Sequence, residues 1–181
     1  MILRMKNSKA KVSKLSMPNI SLIFLFAFCL QSCGIYSFTG TSLSPDLETI
    51  TIQNFGVATA GGPQNLAIDF NEALKEYYQR NTNLKLVPND GDLFLAGSII
   101  TYEMTPVATS ASDQAASNRL TVSVEVTFQN TQNEDDSFDK EFSFYQDFPQ
   151  EQSLTDVEKR LVPTIIDQLV LNIFNDTAAQ W

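Results

Sequence analysis

The sequence predicts an α+β domain in which two helices pack on one face of a four-stranded, mostly antiparallel sheet. Three observations predict this class. Two segments carry apolar residues at helical spacing, four segments alternate or run apolar as strands do, and together they follow the order β-α-β-β-β-α. Placing both helices on one sheet face is the economical way to bury the apolar side of every element.

The first strand and the first helix are predicted from the segments ETITIQNF and 64–80. In ETITIQNF, Ile50 and Ile52 face one way, and polar side chains face the other, namely Thr49, Thr51 and Gln53. GVATAGGP is predicted to be a loop, and its Pro63 suits a first helical position. The helix stripe consists of Leu66, Phe70, Ala73, Leu74 and Tyr77. LKLV then predicts a further short strand, followed by the turn PNDGD.

Three longer strands follow. DLFLAGSIITYEMTP is apolar on both faces near its start, which indicates a central position in the sheet. Residues 106–118 are small and polar and are predicted to form a long, mobile loop. Residues 120–128 alternate, with Leu120, Val122, Val124, Val126 and Phe128 on one face and Thr121, Ser123, Glu125 and Thr127 on the other. The next strand places Phe138, Phe142, Phe144 and Phe148 opposite Asp139, Glu141, Ser143 and Asp147, so an antiparallel hairpin is predicted.

The last helix is predicted to open at Thr155, because Glu158 three residues later completes a capping box. Pro163 lies inside the segment and predicts a kink or a weakened first turn. The buried stripe is predicted to be Leu161, Val162, Ile165, Ile166, Leu169, Val170, Ile173 and Phe174.

The first 32 residues differ from the remainder in charge. They carry five Lys and Arg and no acid, whereas the rest of the chain carries seven Lys and Arg against 21 Asp and Glu. The apolar run Ile20–Leu30 is too short for a membrane-spanning helix, which needs about 20 residues. A basic start followed by such a run is the pattern of a secretory signal peptide, whose true start at Met1, Met5 or Met17 stays open.

The end of this leader resembles a bacterial lipobox: Leu30-Gln31-Ser32-Cys33. The resemblance implies that residues 1–32 are removed and that Cys33 receives a diacylglycerol and an acyl chain such as palmitate. Residues 33–46 then form a lipidated tether, and residues 47–181 form a single domain. Because residue 34 is Gly and not the Asp typical of inner-membrane retention, we expect an anchor in the periplasmic face of the outer membrane.

The composition restricts the chemistry. The chain has no histidine and no cysteine after Cys33, which excludes Ser-His and Cys-His catalysis and a cysteine zinc site in the mature protein. We expect no enzyme, no catalytic residue, no cofactor and no metal, although carboxylates are numerous enough that composition does not exclude a two-carboxylate hydrolase. The acidic run at 134–136 is interpreted as a solvated hairpin turn. The acidic mature chain disfavours nucleic acid as a partner.

Three stretches resemble the LptE family of LPS-assembly outer-membrane lipoproteins. They are CGIYSFTGTSLSPDLETITIQNF, GDLFLAGSIITYEMTP and IIDQLVLNIFNDTAAQW, and the resemblance covers nearly all of the mature chain. It implies a lipoprotein that plugs the lumen of the LptD barrel, helps that barrel to assemble, and contacts lipopolysaccharide on its way to the outer leaflet. Direct lipopolysaccharide binding is less well supported here, because the mature chain has few basic residues.

Candidate contact residues follow from this resemblance and from the strand faces. The polar face at Thr121, Ser123, Glu125 and Thr127 would meet the barrel, and Arg119, at a strand start beside the 106–118 loop, is the best candidate for a phosphate contact. Asp176-Thr177-Ala178 resembles a short bacterial O-glycosylation pattern. Trp181 is expected to pack on the domain or to touch a partner.

Two other classes of function stay open. One is a lipoprotein adaptor or activator of a periplasmic cell-wall synthase. Such a protein usually needs a long tether, whereas about twelve residues separate Cys33 from the first strand, a reach of at most ~40 Å. The other is a carrier of a small apolar ligand, which no particular residue supports.

Overall fold

The computed structural model describes residues 46–107 and 116–179. Its long strands and both helices follow one another along the chain in the predicted order. A short 3₁₀ turn lies at Glu134–Asp136, between the last two strands. The strands are β1 (Thr49–Ile52), β2 (Gly56–Val57), β3 (Lys85–Leu86), β4 (Leu93–Val107), β5 (Ser117–Asn130) and β6 (Phe138–Pro149); the helices are α1 (Leu66–Asn81) and α2 (Leu154–Ala178).

The sheet confirms the α+β class but has six strands instead of four. Its order is β3-β1-β4-β5-β6, and β2 pairs with β4 beyond the end of β1. The long strands β4, β5 and β6 are antiparallel, whereas β1, β2 and β3 run parallel to their neighbours. The strand β2 lies in a segment predicted to be a loop. A two-residue strand such as β2 shows no alternation, so only its partner defines it, whereas β3 lies within LKLV, which was predicted to be a short strand.

The central strand β4 contains a register shift between Ile99 and Thr101. Before the shift Ile99 pairs with Val124, and after it Thr101 pairs with Ser123. The extra residue keeps apolar side chains on the core face on both sides of the shift, because Ile99 and Tyr102 are both buried. The central position predicted for this strand is confirmed.

Both helices pack on the apolar face of the sheet, as predicted. The apolar face of β5 is buried throughout, at Leu120, Val122, Val124, Val126 and Phe128. The predicted core residues Phe142 and Ile166 are also buried. Helix α1 buries Leu66, Phe70, Leu74 and Tyr78. The domain is therefore two layers thick, with one core between the helices and the sheet.

Helix α2 begins one residue earlier than predicted, and its cap is different. Ser153 is the N-cap, and its hydroxyl accepts a hydrogen bond from the Asp156 N–H at 3.3 Å. The capping box predicted at Thr155 and Glu158 is therefore wrong. Glu158 instead accepts a 2.5 Å hydrogen bond from the hydroxyl of Tyr102, which joins the helix to β4. The helix continues through Pro163 to Ala178.

The predicted loop at 106–118 is shorter in the structure, because strand pairing continues at Pro106↔Asn118 and Val107↔Ser117. Residues 108–115, the leader, Cys33 and Trp181 lie outside the described residues. In the part of the chain that is described, neither helix is both long and apolar enough to cross a membrane.

Candidate functional site

The face of strands β4, β5 and β6 that points away from the helices is a mainly polar surface built from regular structure. No described helix covers it, and most of its side chains are exposed or half-buried. We call this surface the open face. Its polar residues include Ser98, Thr101, Glu103 and Thr105 on β4, Arg119, Thr121, Ser123, Glu125 and Thr127 on β5, and Asp139, Glu141, Ser143, Tyr145 and Asp147 on β6. By the same register Phe94 and Ala96 of β4 also lie on this face.

The four predicted contact residues of β5 do lie in one row on the open face. Glu125 is exposed and Thr121 and Thr127 are half-buried. Ser123 is 4% exposed and lies between paired strands on both sides. Its hydroxyl donates to Ser143 Oγ at 3.1 Å, and the hydroxyl of Thr127 donates to Asp139 Oδ1 at 2.5 Å. The row is therefore ordered by contacts within the hairpin.

Arg119 lies near the start of β5, at one end of the open face, where it is already paired. Its Nε donates to Asp147 Oδ1 at 2.7 Å and its Nη2 donates to Asp147 Oδ2 at 2.9 Å. The guanidinium carbon also lies 3.7 Å from the ring centroid of Tyr145. Hydrogen bonding to Arg119 lowers the pKa of Asp147 below its usual range. A phosphate would meet a guanidinium that holds a carboxylate along one edge, so the predicted phosphate contact stays a prediction.

Of the polar residues predicted for the first strand, Thr49 and Thr51 are used inside the domain, whereas Gln53 is exposed. The Thr51 hydroxyl accepts from the Gly91 N–H at 3.0 Å, and Thr51 is 2% exposed. Asp92 accepts from the Glu48 and Thr49 N–H groups at 3.0 and 2.9 Å and from the Thr49 hydroxyl at 2.7 Å. These bonds lower the pKa of Asp92. The turn before β4 therefore covers β1, and the open face is restricted to β4–β6.

Only glycine fits at position 91 of this turn. A Cβ there would lie 2.6 Å from the Thr51 backbone nitrogen and 2.9 Å from the Leu93 carbonyl oxygen. Asp90 just before it has a φ of 56°, in the left-handed region. The predicted turn PNDGD is confirmed, and the closeness of its backbone to β1 is the reason for its composition.

Tyr145 and Glu103 are among the open-face residues that were not predicted as contacts. Tyr145 lies opposite Thr121 across the β5–β6 pair, and strict alternation of β6 would have found it. Glu103 lies opposite Thr121 on the other side. It was missed because the shift after Ile99 breaks the alternation of β4, so the two halves of that strand must be counted separately.

Thr177, the centre of the O-glycosylation-like pattern, belongs to the core. It is completely buried, its hydroxyl donates to the Ile173 carbonyl at 2.7 Å, and it also hydrogen-bonds to the hydroxyl of Tyr78. Burial raises the pKa of Tyr78 far above its usual range. A sugar cannot reach this hydroxyl in the folded domain, so the pattern reflects packing between α1 and α2.

The described residues contain no group of three or more His, Cys, Asp or Glu side chains arranged to hold a metal ion. What this part of the chain presents is an ordered polar sheet surface over a well-packed core. The class defined by the fold is thus a small two-layer α+β domain with one free sheet face.

The chain belongs to the LptE family, described as lipopolysaccharide assembly, because the family model matches residues 47–177. This confirms the resemblance seen in the sequence. The match spans every described strand and nearly all of α2. No curated protein sequence matches the chain.

Several solved structures are similar to this chain at low identity. A minor lipoprotein from Acinetobacter baumannii is 16% identical, with 70% of this chain and 89% of that chain covered and a TM-score of 0.44. The rare lipoprotein B from Shewanella oneidensis is 11% identical over 70% and 89%, with a TM-score of 0.47. The PelC dodecamer from Paraburkholderia phytofirmans is 9% identical over 70% and 93%, with a TM-score of 0.37. These values carry no conclusion about function.

Proposed function

We propose that this protein is a non-enzymatic outer-membrane lipoprotein that plugs an LptD-type barrel and helps it to assemble for lipopolysaccharide transport to the outer leaflet. The observation that carries the proposal is the open face of a domain in the LptE family. A helix layer covers one side of the sheet, while the other side leaves an ordered polar surface available for a partner.

The chemistry of the open face suits a barrel lumen. Lumens of outer-membrane barrels are lined with polar side chains, so a domain lodged in one needs a polar, hydrogen-bonding surface. The open face offers hydroxyls and carboxylates held in fixed positions by Ser123–Ser143 and Thr127–Asp139 contacts. Preorganised groups of this kind lose little conformational entropy when a partner covers them.

The anchor is part of the same proposal. Cys33 would carry the lipid, and the short tether would keep the domain within about 40 Å of the outer membrane, where a barrel partner resides. Cys33→Ala should leave an uncleaved or mislocalised precursor without incorporated fatty acid. The measurement is labelling with a radioactive fatty acid, and normal labelling of the variant would remove the lipoprotein assignment.

The open face offers few groups that would bind lipopolysaccharide itself. Arg119 is the only basic residue of the open face, and Asp147 already neutralises much of its charge. Lipopolysaccharide phosphates would therefore meet a surface with excess negative charge. The barrel, and not the lipid, is the main proposed partner of this face.

The decisive experiment uses photocrosslinking amino acids at Thr121 and Thr127 on the open face, with Glu72 on the exposed side of α1 as the matched control. In mild detergent, the first two positions should capture one large barrel protein and the third should not.

If position 72 captures the barrel instead, the docking face is wrong although the barrel partner stands. If no position captures a barrel and depletion leaves surface lipopolysaccharide unchanged, the barrel proposal fails. Capture of a cell-wall synthase would then support the adaptor.

A further inference from the structure

Charge on the open face is unbalanced at its centre. Glu125 lies directly opposite Glu141 across the β5–β6 pair, and its other cross-strand neighbour is the neutral Ser98. Asp139 is the diagonal neighbour of Glu125, because it pairs with Thr127 two residues along. Over β4–β6 the open face carries one basic residue, Arg119, which is paired with Asp147 at the far end.

The Glu125–Glu141 pair does not stabilise the β5–β6 hairpin. Like charges directly opposite each other destabilise an antiparallel pair, whereas opposite charges or hydroxyls stabilise it. The same hairpin uses favourable pairs elsewhere, at Thr127–Asp139 and at Arg119–Asp147. Two acidic residues at directly paired positions on an exposed sheet face therefore destabilise the isolated domain. A local loss of stability of this kind is expected at a binding surface.

A second feature of the same face indicates a protein partner. Tyr145 is 49% exposed, and its ring carries the Arg119 guanidinium at 3.7 Å. Tyrosine and arginine are the residues in which interfaces concentrate their binding energy. Here their rotamers are fixed in advance by the stack and by the ion pair to Asp147.

We propose that the surface covering the open face is a protein wall that places Arg or Lys side chains opposite Glu125 and Glu141, with Tyr145 as the anchor at one end. The inference rests on the proposed function and adds the chemistry of the contact: the segment of the barrel lumen facing this sheet is basic. Anionic lipid is the wrong occupant, because its phosphates would meet the same two carboxylates. Complementary charge across the interface sets the orientation of the plug and speeds its association.

The test replaces both acids by their uncharged isosteres, Glu125→Gln with Glu141→Gln, in the full-length lipoprotein. The urea midpoint of the purified protein should stay the same or rise, because the repulsion is gone. Recovery of the barrel in a detergent pull-down should fall about tenfold or more, and the remaining binding should lose most of its dependence on salt. A residue with a merely structural role would move stability and binding together, and not in opposite directions.

The matched control is Glu72→Gln with Glu151→Gln, which removes the same charge from exposed positions outside the open face. This variant should recover barrel like the unmodified protein. Tyr145→Ala should reduce recovery as well, whereas Tyr145→Phe should retain most of it, since the stacking ring is kept.

The outcomes separate this inference from the proposal on which it rests. If the unmodified protein recovers the barrel and the double Gln variant recovers it equally at every salt concentration, the basic-wall inference is overturned and the plug stands. If recovery requires millimolar Mg²⁺ or Ca²⁺ and disappears with EDTA, a bridging cation replaces the basic side chains and the inference is again wrong. If the unmodified protein recovers no barrel, both proposals fall.

Discussion

The two faces of the sheet differ in residue type and burial, although the same strands form both. On the inner face, apolar side chains of β4, β5 and β6 are buried against the helices, and their identity is set by packing. On the open face, most hydroxyls and carboxylates are exposed or half-buried, and the like-charged pair Glu125–Glu141 destabilises the hairpin. The difference indicates that stability is concentrated on the inner face, which leaves the open face available for binding.

The largest expected effect lies at the inner face. Phe142→Ala should lower the free energy of unfolding by about 3–5 kcal/mol, because the ring is buried on the inner face of β6 and its removal leaves a cavity. Urea unfolding of the domain measures this. A loss below about 1 kcal/mol would mean that the inner face is not the source of stability.

A smaller effect is expected at the turn that closes the end of β1. Asp92→Ala should cost about 1–2 kcal/mol at pH 7, because three hydrogen bonds to one carboxylate are lost. The folded pKa of Asp92 is lowered, so its contribution is complete above the unfolded pKa of about 3.9 and disappears as the pH falls through the lower folded pKa. Unfolding curves at several pH values should therefore converge for the two proteins in acid. A constant difference down to pH 2 would contradict the assignment.

The third prediction concerns the N-cap of α2. Ser153→Ala should destabilise the domain by about 1 kcal/mol, because the hydroxyl accepts from the Asp156 N–H. Thr155→Ala is the matched control and should have little effect. If the two variants exchanged their effects in thermal unfolding, the cap predicted from the sequence would be right and the observed one wrong.

The smallest effect on stability is expected on the open face. Thr121→Ala should change the free energy of unfolding by less than about 0.5 kcal/mol, because the side chain is half-buried and no core contact depends on it. Urea unfolding beside Phe142→Ala gives the sharpest contrast between the two faces. A loss comparable to that of Phe142→Ala would remove the distinction on which the docking face depends.

Much of the helix layer and of the hairpin could be predicted from sequence periodicity. The alternation at 120–128 identified the buried row of β5, and the helical stripes identified most of the buried side chains of α1 and α2. Periodicity failed where it was too short or interrupted. The strand β2 has two residues and lies in a predicted loop, and the shift after Ile99 hides Glu103.

The sequence by itself determined the α+β class, the apolar sides of β5 and β6 and the family, because these depend on local periodicity and on residue types along the chain. Tertiary structure alone decided which polar residues remain available. Thr51 and Thr177 are polar in the sequence, yet both are buried in the fold. Thr51 hydrogen-bonds to the turn at Gly91, and Thr177 hydrogen-bonds to the hydroxyl of Tyr78. It also decided that Glu125 stands opposite Glu141 and that Asp147 holds Arg119, because cross-strand neighbours are fixed by register and not by position in the chain.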